Sequence, residues 1–393
     1  MHPVAKMDEN GVLVDVRITC NAKQLNKALI QQKRHIPSIP ELTNELKGCE
    51  WFSSLDLKDA FNQIMFELAS RPLTAMSTIW GIYLWNRLNM GISIASEIFQ
   101  EIMEKVLEGI PYTKIALDDL MVHTLSYAKH EEIIKMCLDR LAENGLTLNL
   151  SKCKFFKSEI DFFGVTISKN GIKPKKGKFQ DLQECKPPTS TKEVHSFLGL
   201  TGYFKNRSPY QSSIDKPLRN LLKKDVPFKW DRNEQQAYEK LKATVIEKEM
   251  AFFDHKLETE LYVEAGPDGC SSFLTQINQS TNDIKLIRCD SHSFNEAEIN
   301  YSHLEKEAFA CVWACKTNHI YVYGRRFKCI TDALSVKKIF EEDKTRKRTP
   351  IRFVRWKSDL SIYNVEFVHR SGSKNIADYL SRRFNKPSSN ITN

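Results

Sequence analysis

The chain has 393 residues, more than one ordinary domain uses, so two or three domains are expected. With 41% apolar and 27% charged residues and only 15 Gly and 14 Pro, it can build packed cores, which excludes disordered, collagen-like and coiled-coil classes. No stretch approaches the ~20 apolar residues of a membrane span, and the start lacks the apolar region of a signal peptide, so a soluble, intracellular protein with no membrane partner is expected.

The net charge of +9 is unevenly placed. From Tyr321 to Asn393 there are 17 Lys and Arg against 7 Asp and Glu, which points to a polyanionic partner, with a solvated basic face as the plain alternative. The ten cysteines include no Cys-x-x-Cys pair, and Cys311 and Cys315 share one helix face among apolar neighbours, so reduced structural thiols are expected.

In chain order, Val12 to Cys20 alternates like a strand. Ala95 to Leu107 places Ala95, Ile98, Phe99, Ile102, Met103 and Val106 at helical spacing. His130 to Gly145 predicts a second helix stopped by Asn144-Gly145. Residues 1–165 therefore read as one mixed α and β domain. From Ser168 the chain turns loop-rich and helical to about residue 256, as a connecting subdomain would. At Glu258 the pattern restarts: a strand, a helix from Ser302, a strand from Phe327 and a last helix near Asn375, with residues 384–393 as a frayed, disordered tail.

Asp118 and Asp119 are adjacent between two apolar, strand-like runs, where a two-residue hairpin tip is the natural fit. Such tips favour Asn-Gly or Asp-Gly, and a doubled aspartate adds like-charge repulsion that a divalent cation would offset. On this segment alone a metal site and a plain polar turn both stand. A second segment adds weight to the metal: the apolar strand from Trp51 ends in Asp56, followed five residues later by Phe61. Phosphoryl transfer to a 3′ hydroxyl uses two metals roughly 3.5–4 Å apart, and three carboxylates from two strands can hold them. Asp56, Asp118 and Asp119 supply that number.

Five ordered blocks carry a resemblance: FSSLDLKDAFNQI from Phe52, RLNMGISIASEIFQ from Arg87, ALDDLMVHT from Ala116, LTLNLSKCKFF from Leu146 and FFGVTISKNGIKP from Phe162. In this order they resemble the reverse transcriptases of gypsy-like LTR retrotransposons, and VHSFLGLTGYF and KKDVPFKW resemble the connection of those polyproteins. The resemblance implies an α+β polymerase right hand, with fingers and palm over residues 1–165 and thumb and connection over 166–256. It implies Asp56, Asp118 and Asp119 as polymerase metal ligands, Phe61 as the steric gate against a 2′-OH and Arg17 as a contact to the incoming triphosphate. Lys152, in the fourth block, is expected at nucleic acid.

The remaining chain has its own acids: Glu264 at a strand, Glu307 on a helix, Asp332 ending a strand and Asp378 in SGSKNIADYLSRR. Ser302 and Glu305 have capping-box spacing, which occupies Glu305, whereas Glu307 shares a stripe with Ala310, Cys311 and Ala314. The set resembles the four carboxylates of a retroelement ribonuclease H, implying an α/β ribonuclease H-like domain over 257–383. Arg352, Arg355 and Trp356 are expected to hold its nucleic acid, with Arg346 to Arg348 nearby.

Several positions depart from the family. Ala116 stands where an aromatic is usual, Asn89-Met90 replaces a proline-aromatic pair, and Ser96 replaces a proline. Glu264 replaces an aspartate, and Ala333 follows Asp332 where a histidine is usual. Glutamate moves the ligand oxygens by ~1.5 Å in a site that tolerates about 0.5 Å. The chain also reads as starting inside the fingers, as an N-terminally truncated copy would. The implied function is an RNA-directed DNA polymerase with an RNA:DNA-hybrid ribonuclease, using two Mg2+ or Mn2+ per site, a template-primer of RNA or DNA, and deoxynucleoside triphosphates. The competing reading is a degenerate or co-opted copy that binds nucleic acid without catalysis.

Overall fold

The computed structural model describes residues 2–7, 12–19, 21–30, 36–247, 249–341 and 350–370. The chain divides into two compact units, residues 1–169 and 170–393.

The first unit begins with an antiparallel hairpin, β1 (His2–Met7) and β2 (Leu13–Thr19). Its centre is a four-stranded sheet. The strand β3 (Trp51–Asp56) lies between β7 (Asp119–Thr124) and β8 (Lys154–Lys157), and β6 (Thr113–Ala116) lies outside β7. All three pairings are antiparallel. Successive strand side chains alternate faces, so Leu55, Leu120 and Val122 turn to one side. There they are fully buried with Phe99, Met103, Ile133, Cys137 and Leu141 from two helices, Ala95–Val106 and Tyr127–Glu143. Asp56 and Asp119 fall on the opposite parity and hence on the face away from the helices.

Both helices form where the spacing predicts them. The first has Glu97 in its first turn and Lys105 in its last, each favourable to the helix dipole. The second starts earlier than its apolar stripe, because Ser126 caps it by accepting the Lys129 amide. It stops where Gly145 takes φ +67°. Two small hairpins complete the unit: β4 (Met76–Thr78) with β5 (Gly81–Tyr83), and β9 (Glu159–Phe162) with β10 (Val165–Ser168).

The second unit opens with the short strand β11 (Gly171–Pro174), which Ile172 bridges to Met250. Only glycine fits at 171, since a Cβ there would lie 2.0 Å from the Met250 carbonyl oxygen. Helices Lys178–Glu184, Thr191–Tyr203 and Arg232–Thr244 close around Leu182, Val194, Phe197, Phe204, Leu218, Tyr238 and Leu241. Ser190 caps the second of these helices, and Asp231 with Glu234 forms a capping box on the third.

A five-stranded sheet follows in the order β14-β13-β12-β15-β16: Asp283–Ser293, Gly269–Asn278, Glu258–Ala265, Arg326–Thr331 and Asn364–His369. The first three strands are antiparallel, whereas β12, β15 and β16 run parallel. Helix His303–Thr317 lays Ala310, Cys311, Ala314 and Cys315 on Leu261, Val263 and Cys329 of one face, and helices Leu334–Glu341 and Ile351–Leu360 join that core. On the other face Tyr262, Phe273, Leu286, Cys289 and Ile330 bury against Ile246 and Met250. Among the described residues no helix is long and apolar enough to cross a membrane.

Candidate active sites

In the first unit the acids meet through strand register. Asp56 is the last residue of β3 and Asp119 the first of β7, and the two are directly opposite each other. Asp119 also pairs with Ala116 across the β6–β7 hairpin, so the tip is Leu117-Asp118 rather than the expected Asp118-Asp119. Leu117, not an aspartate, takes the left-handed conformation at φ +57°. That leaves Asp118 exposed at the tip and Asp119 half-buried beside Asp56.

The tip is held from below by a residue that the sequence reading missed. Gln100, 2% exposed on helix Ala95–Val106, accepts the Leu117 amide at 2.8 Å and donates to the Ile115 carbonyl at 3.4 Å. Its amide is oriented by a further bond to Glu104 Oε1 at 2.9 Å. The available signal was a carboxamide among Phe99, Met103 and Val106 in a helix's buried stripe.

Asp56 is fixed through its backbone: its N–H donates to Cys153 Sγ at 3.4 Å and its carbonyl accepts the Asn149 amide at 2.8 Å. Lys152, expected at nucleic acid, places Nζ 3.7 Å from Asp56 Oδ1. Phe61 follows on the 3₁₀ turn Ala60–Gln63, half-buried, with its ring edge-on to Phe99 at 5.5 Å. Arg17 lies on β2 opposite Val4, and its side chain is outside the described residues. Of the departures, Ala116 is 1% exposed and Asn89 is 1% exposed with Oδ1 unpartnered, while Ser96 is half-buried.

In the second unit Glu264 is the penultimate residue of β12, opposite Ser271. The Tyr210 hydroxyl donates to its carboxylate. Glu307, 3% exposed in the second turn of helix His303–Thr317, points at the same strand end and accepts the Ala265 amide. Burial first, then the charges of Asp332 and Glu264, push its carboxyl up to about 8, while the Ala265 bond works the other way. Its Oε2 has no partner, and His303 Nε2 lies 3.9 Å from Oε1. Asp332 is the first residue beyond β15, and its carbonyl accepts from His369 Nε2 at 3.0 Å. Glu264, Glu307 and Asp332 are thus neighbours, whereas Asp378 lies outside the described residues.

Both acid sets fit a divalent cation. Like charges directly opposite on adjacent strands repel, and a buried carboxylate oxygen without a partner is costly unless something binds it. As they stand, no group of three or more His, Cys, Asp or Glu side chains among the described residues is placed to hold a metal ion, and the fourth acid of the second set, Asp378, lies outside them.

The expected nucleic-acid contacts divide. Trp356 is 8% exposed and packs on Phe353, Tyr301 and Phe309, so its ring belongs to the core and has no face left for a base. Arg352 is likewise occupied, bonded to Glu305 Oε1 at 2.6 Å and lying 4.1 Å above the Tyr301 ring. Glu305 also closes the predicted capping box with Ser302. Arg355 is exposed, and Arg346 to Arg348 lie outside the described residues.

Residues 8–167 match the reverse transcriptase (RNA-dependent DNA polymerase) family, and residues 254–363 match the RNase H-like domain found in reverse transcriptase. The chain is 32% identical over 371 residues to the retrovirus-related Pol polyprotein from transposon 297 of Drosophila melanogaster, covering 93% of this chain and 34% of the relative. It is also 32% identical over 386 residues to the enzymatic polyprotein of cauliflower mosaic virus, covering 95% of this chain and 56% of the relative. The chain thus spans a third to just over half of these relatives. Among solved structures, the dRH form of foamy viral protease-reverse transcriptase in complex with double-stranded DNA has a TM-score of 0.79 at 23% identity, covering 94% of this chain and 64% of that one. Foamy viral protease-reverse transcriptase in complex with an RNA/DNA hybrid has a TM-score of 0.77 at 22% identity, covering 94% of this chain and 50% of that one. These likenesses show the fold. The chain therefore carries a reverse transcriptase domain followed by the RNase H-like domain of reverse transcriptases, and it is homologous to the Pol polyproteins of transposons.

Proposed function

We propose that the chain is an RNA-directed DNA polymerase joined to an RNA:DNA-hybrid ribonuclease H, derived from the Pol polyprotein of a gypsy-like LTR retrotransposon. The observation that carries this reading is the register that sets Asp56 against Asp119, with Asp118 exposed on a hairpin tip braced by Gln100. In this reading residues 1–165 are fingers and palm, 166–256 thumb and connection, and 257–383 the nuclease. Asp56, Asp118 and Asp119 hold the polymerase metals, and Glu264, Glu307, Asp332 and Asp378 those of the nuclease. Mg2+ or Mn2+, two per site, supplies charge for the phosphates and lowers the pKa of the attacking hydroxyl or water.

The chain's own residues orient and exclude. In this reading Phe61 is the steric gate against a 2′-OH, Arg17 is a contact to the incoming triphosphate, and Lys152, whose Nζ lies 3.7 Å from Asp56 Oδ1, is a contact to nucleic acid. Substrates are an RNA or DNA template-primer, deoxynucleoside triphosphates and, for the nuclease, an RNA:DNA hybrid. Metal-dependent primer extension on an RNA template by the purified chain tests the reading. Binding of template-primer with no extension in either metal would favour a co-opted copy that retains only nucleic-acid binding.

A further inference from the structure

Glu264 is one methylene longer than the acid expected at its position, yet its carboxylate is not left to swing. Tyr210, 54 residues upstream, donates its hydroxyl to Glu264 Oε2. The tyrosine reaches it from a left-handed backbone at φ +60°, a conformation that costs a bulky L-residue roughly 1 kcal/mol or more and persists only where surroundings enforce it. They do so at both ends. Its carbonyl accepts the Ser213 and Ile214 amides at 3.0 Å each, and its half-buried ring stands edge-on to Phe273 at 6.1 Å beside the cluster of Tyr262, Phe273 and Leu286. On the other side, Glu264 is held in register between β12 and β13. Donor and acceptor are therefore both placed by rigid elements.

We propose that Tyr210 is a positioning residue of the nuclease site, whose hydroxyl takes up the rotational freedom that the extra methylene gives Glu264 and presents that carboxylate to the cation beside Glu307 and Asp332. The proposal rests on the reading of these three acids as metal ligands. Partners behind a ligating group typically change metal affinity 10–100-fold when removed. The glutamate and the tyrosine form a matched pair: an aspartate at 264 falls short of the phenol.

The test measures Mn2+ binding, from the loss of the free-ion paramagnetic resonance signal, in the full chain. Asp56→Asn and Asp118→Asn are included throughout to silence the first acid set. Four proteins are compared: this background, and the same with Tyr210→Phe, with Glu264→Asp, and with both. Tyr210→Phe should weaken Mn2+ binding about tenfold where Glu264 is present, and should have no effect where Glu264→Asp has already broken the bond. Equal weakening in both backgrounds would trace the effect to the fold and overturn the proposal. Binding within twofold of the background, or tighter binding, would overturn it too, the latter making the hydroxyl a competitor of the metal. If none of the four binds Mn2+, the ligand reading of Glu264, Glu307 and Asp332 itself falls, and the proposal with it.

Discussion

Glu307→Gln separates a metal-binding carboxylate from a structural one by its effect on stability. Glu307 is 3% exposed, and its carboxyl is pushed up to about 8 by burial and by Asp332 and Glu264. An unfolded chain ionises this group near pH 4.5, while the metal-free folded chain keeps the proton until about pH 8. The unfolded state therefore binds fewer protons within that window, and stability falls as pH rises through it. At pH 7 the penalty is about 3 kcal/mol, at ~1.4 kcal/mol per unit between 4.5 and 7. It grows to a plateau above pH 8. Glutamine keeps an acceptor for the Ala265 amide without ionising, so the variant should match the parent near pH 4.5 and exceed it by about 3 kcal/mol at pH 7. Urea unfolding in chelator from pH 4.5 to 8.5, read from the fluorescence of Trp313 and Trp356 in this core, measures the difference. Hybrid cleavage should be lost in the same variant. A difference that does not change with pH, or a destabilised variant at pH 7, would mean that Glu307 is not the desolvated acid of a like-charged cluster.

Gln100→Leu leaves the Leu117 amide and the Ile115 carbonyl without their partner, which costs about 1–3 kcal/mol of stability. It should also slow single-turnover primer extension tenfold or more at unchanged template-primer affinity; extension at the parental rate would remove Gln100 from the site. Phe61→Val should raise ribonucleotide incorporation relative to deoxyribonucleotide in single-nucleotide kinetics, and unchanged discrimination would leave Phe61 with only its packing on Phe99. Burial lowers the fully buried His130, whose ring nitrogens meet Ser53 Oγ at 2.7 Å and Thr124 Oγ1 at 3.0 Å, to about 4. Its contribution is intact above the unfolded value near 6.5 and is lost as pH falls toward 4, up to about 3 kcal/mol. Melts of the parent and His130→Asn should converge over that range, and a constant gap would contradict the neutral buried imidazole.

How much of this was legible in the sequence depends on the range of the forces involved. Strand alternation and helical spacing are local, so the end of β3 at Asp56 and the helix from Ala95 are legible, whereas the apolar stripe from His130 misses the first turn of the next helix, which Ser126 starts at Tyr127. The capping box of Ser302 and Glu305 is local too, and it correctly left Glu307 as the acid facing the sheet. The hairpin tip lies one residue earlier than expected because turn preferences assign positive φ to Asp or Asn, whereas Leu117 takes it while its amide donates to Gln100 Oε1, 17 residues away in sequence. Trp356 was misread for a different reason. Its basic neighbours suggested a stacking platform, but Phe353, Trp356 and Leu360 recur at i, i+3 and i+7, and that periodicity outweighs the charge around it.

The two acid sets manage repulsion in different ways, and the difference determines where metal should matter to folding. At the first, water reaches Asp118, and Lys152 stands 3.7 Å from Asp56, so solvent and an internal cation already divide the repulsion. On the proposed reading, chelating metal there should leave the strands paired as before. At the second, Glu307 has an unpartnered buried oxygen with two acids beside it, and among the described residues the cation paired with it is the exposed His303, 3.9 Å away. Its charged form waits for a cation, so metal binding at this set is coupled to proton release and to stability together. The second unit, which holds Glu264, Glu307 and Asp332, and not the first, is therefore where divalent metal should raise the unfolding transition.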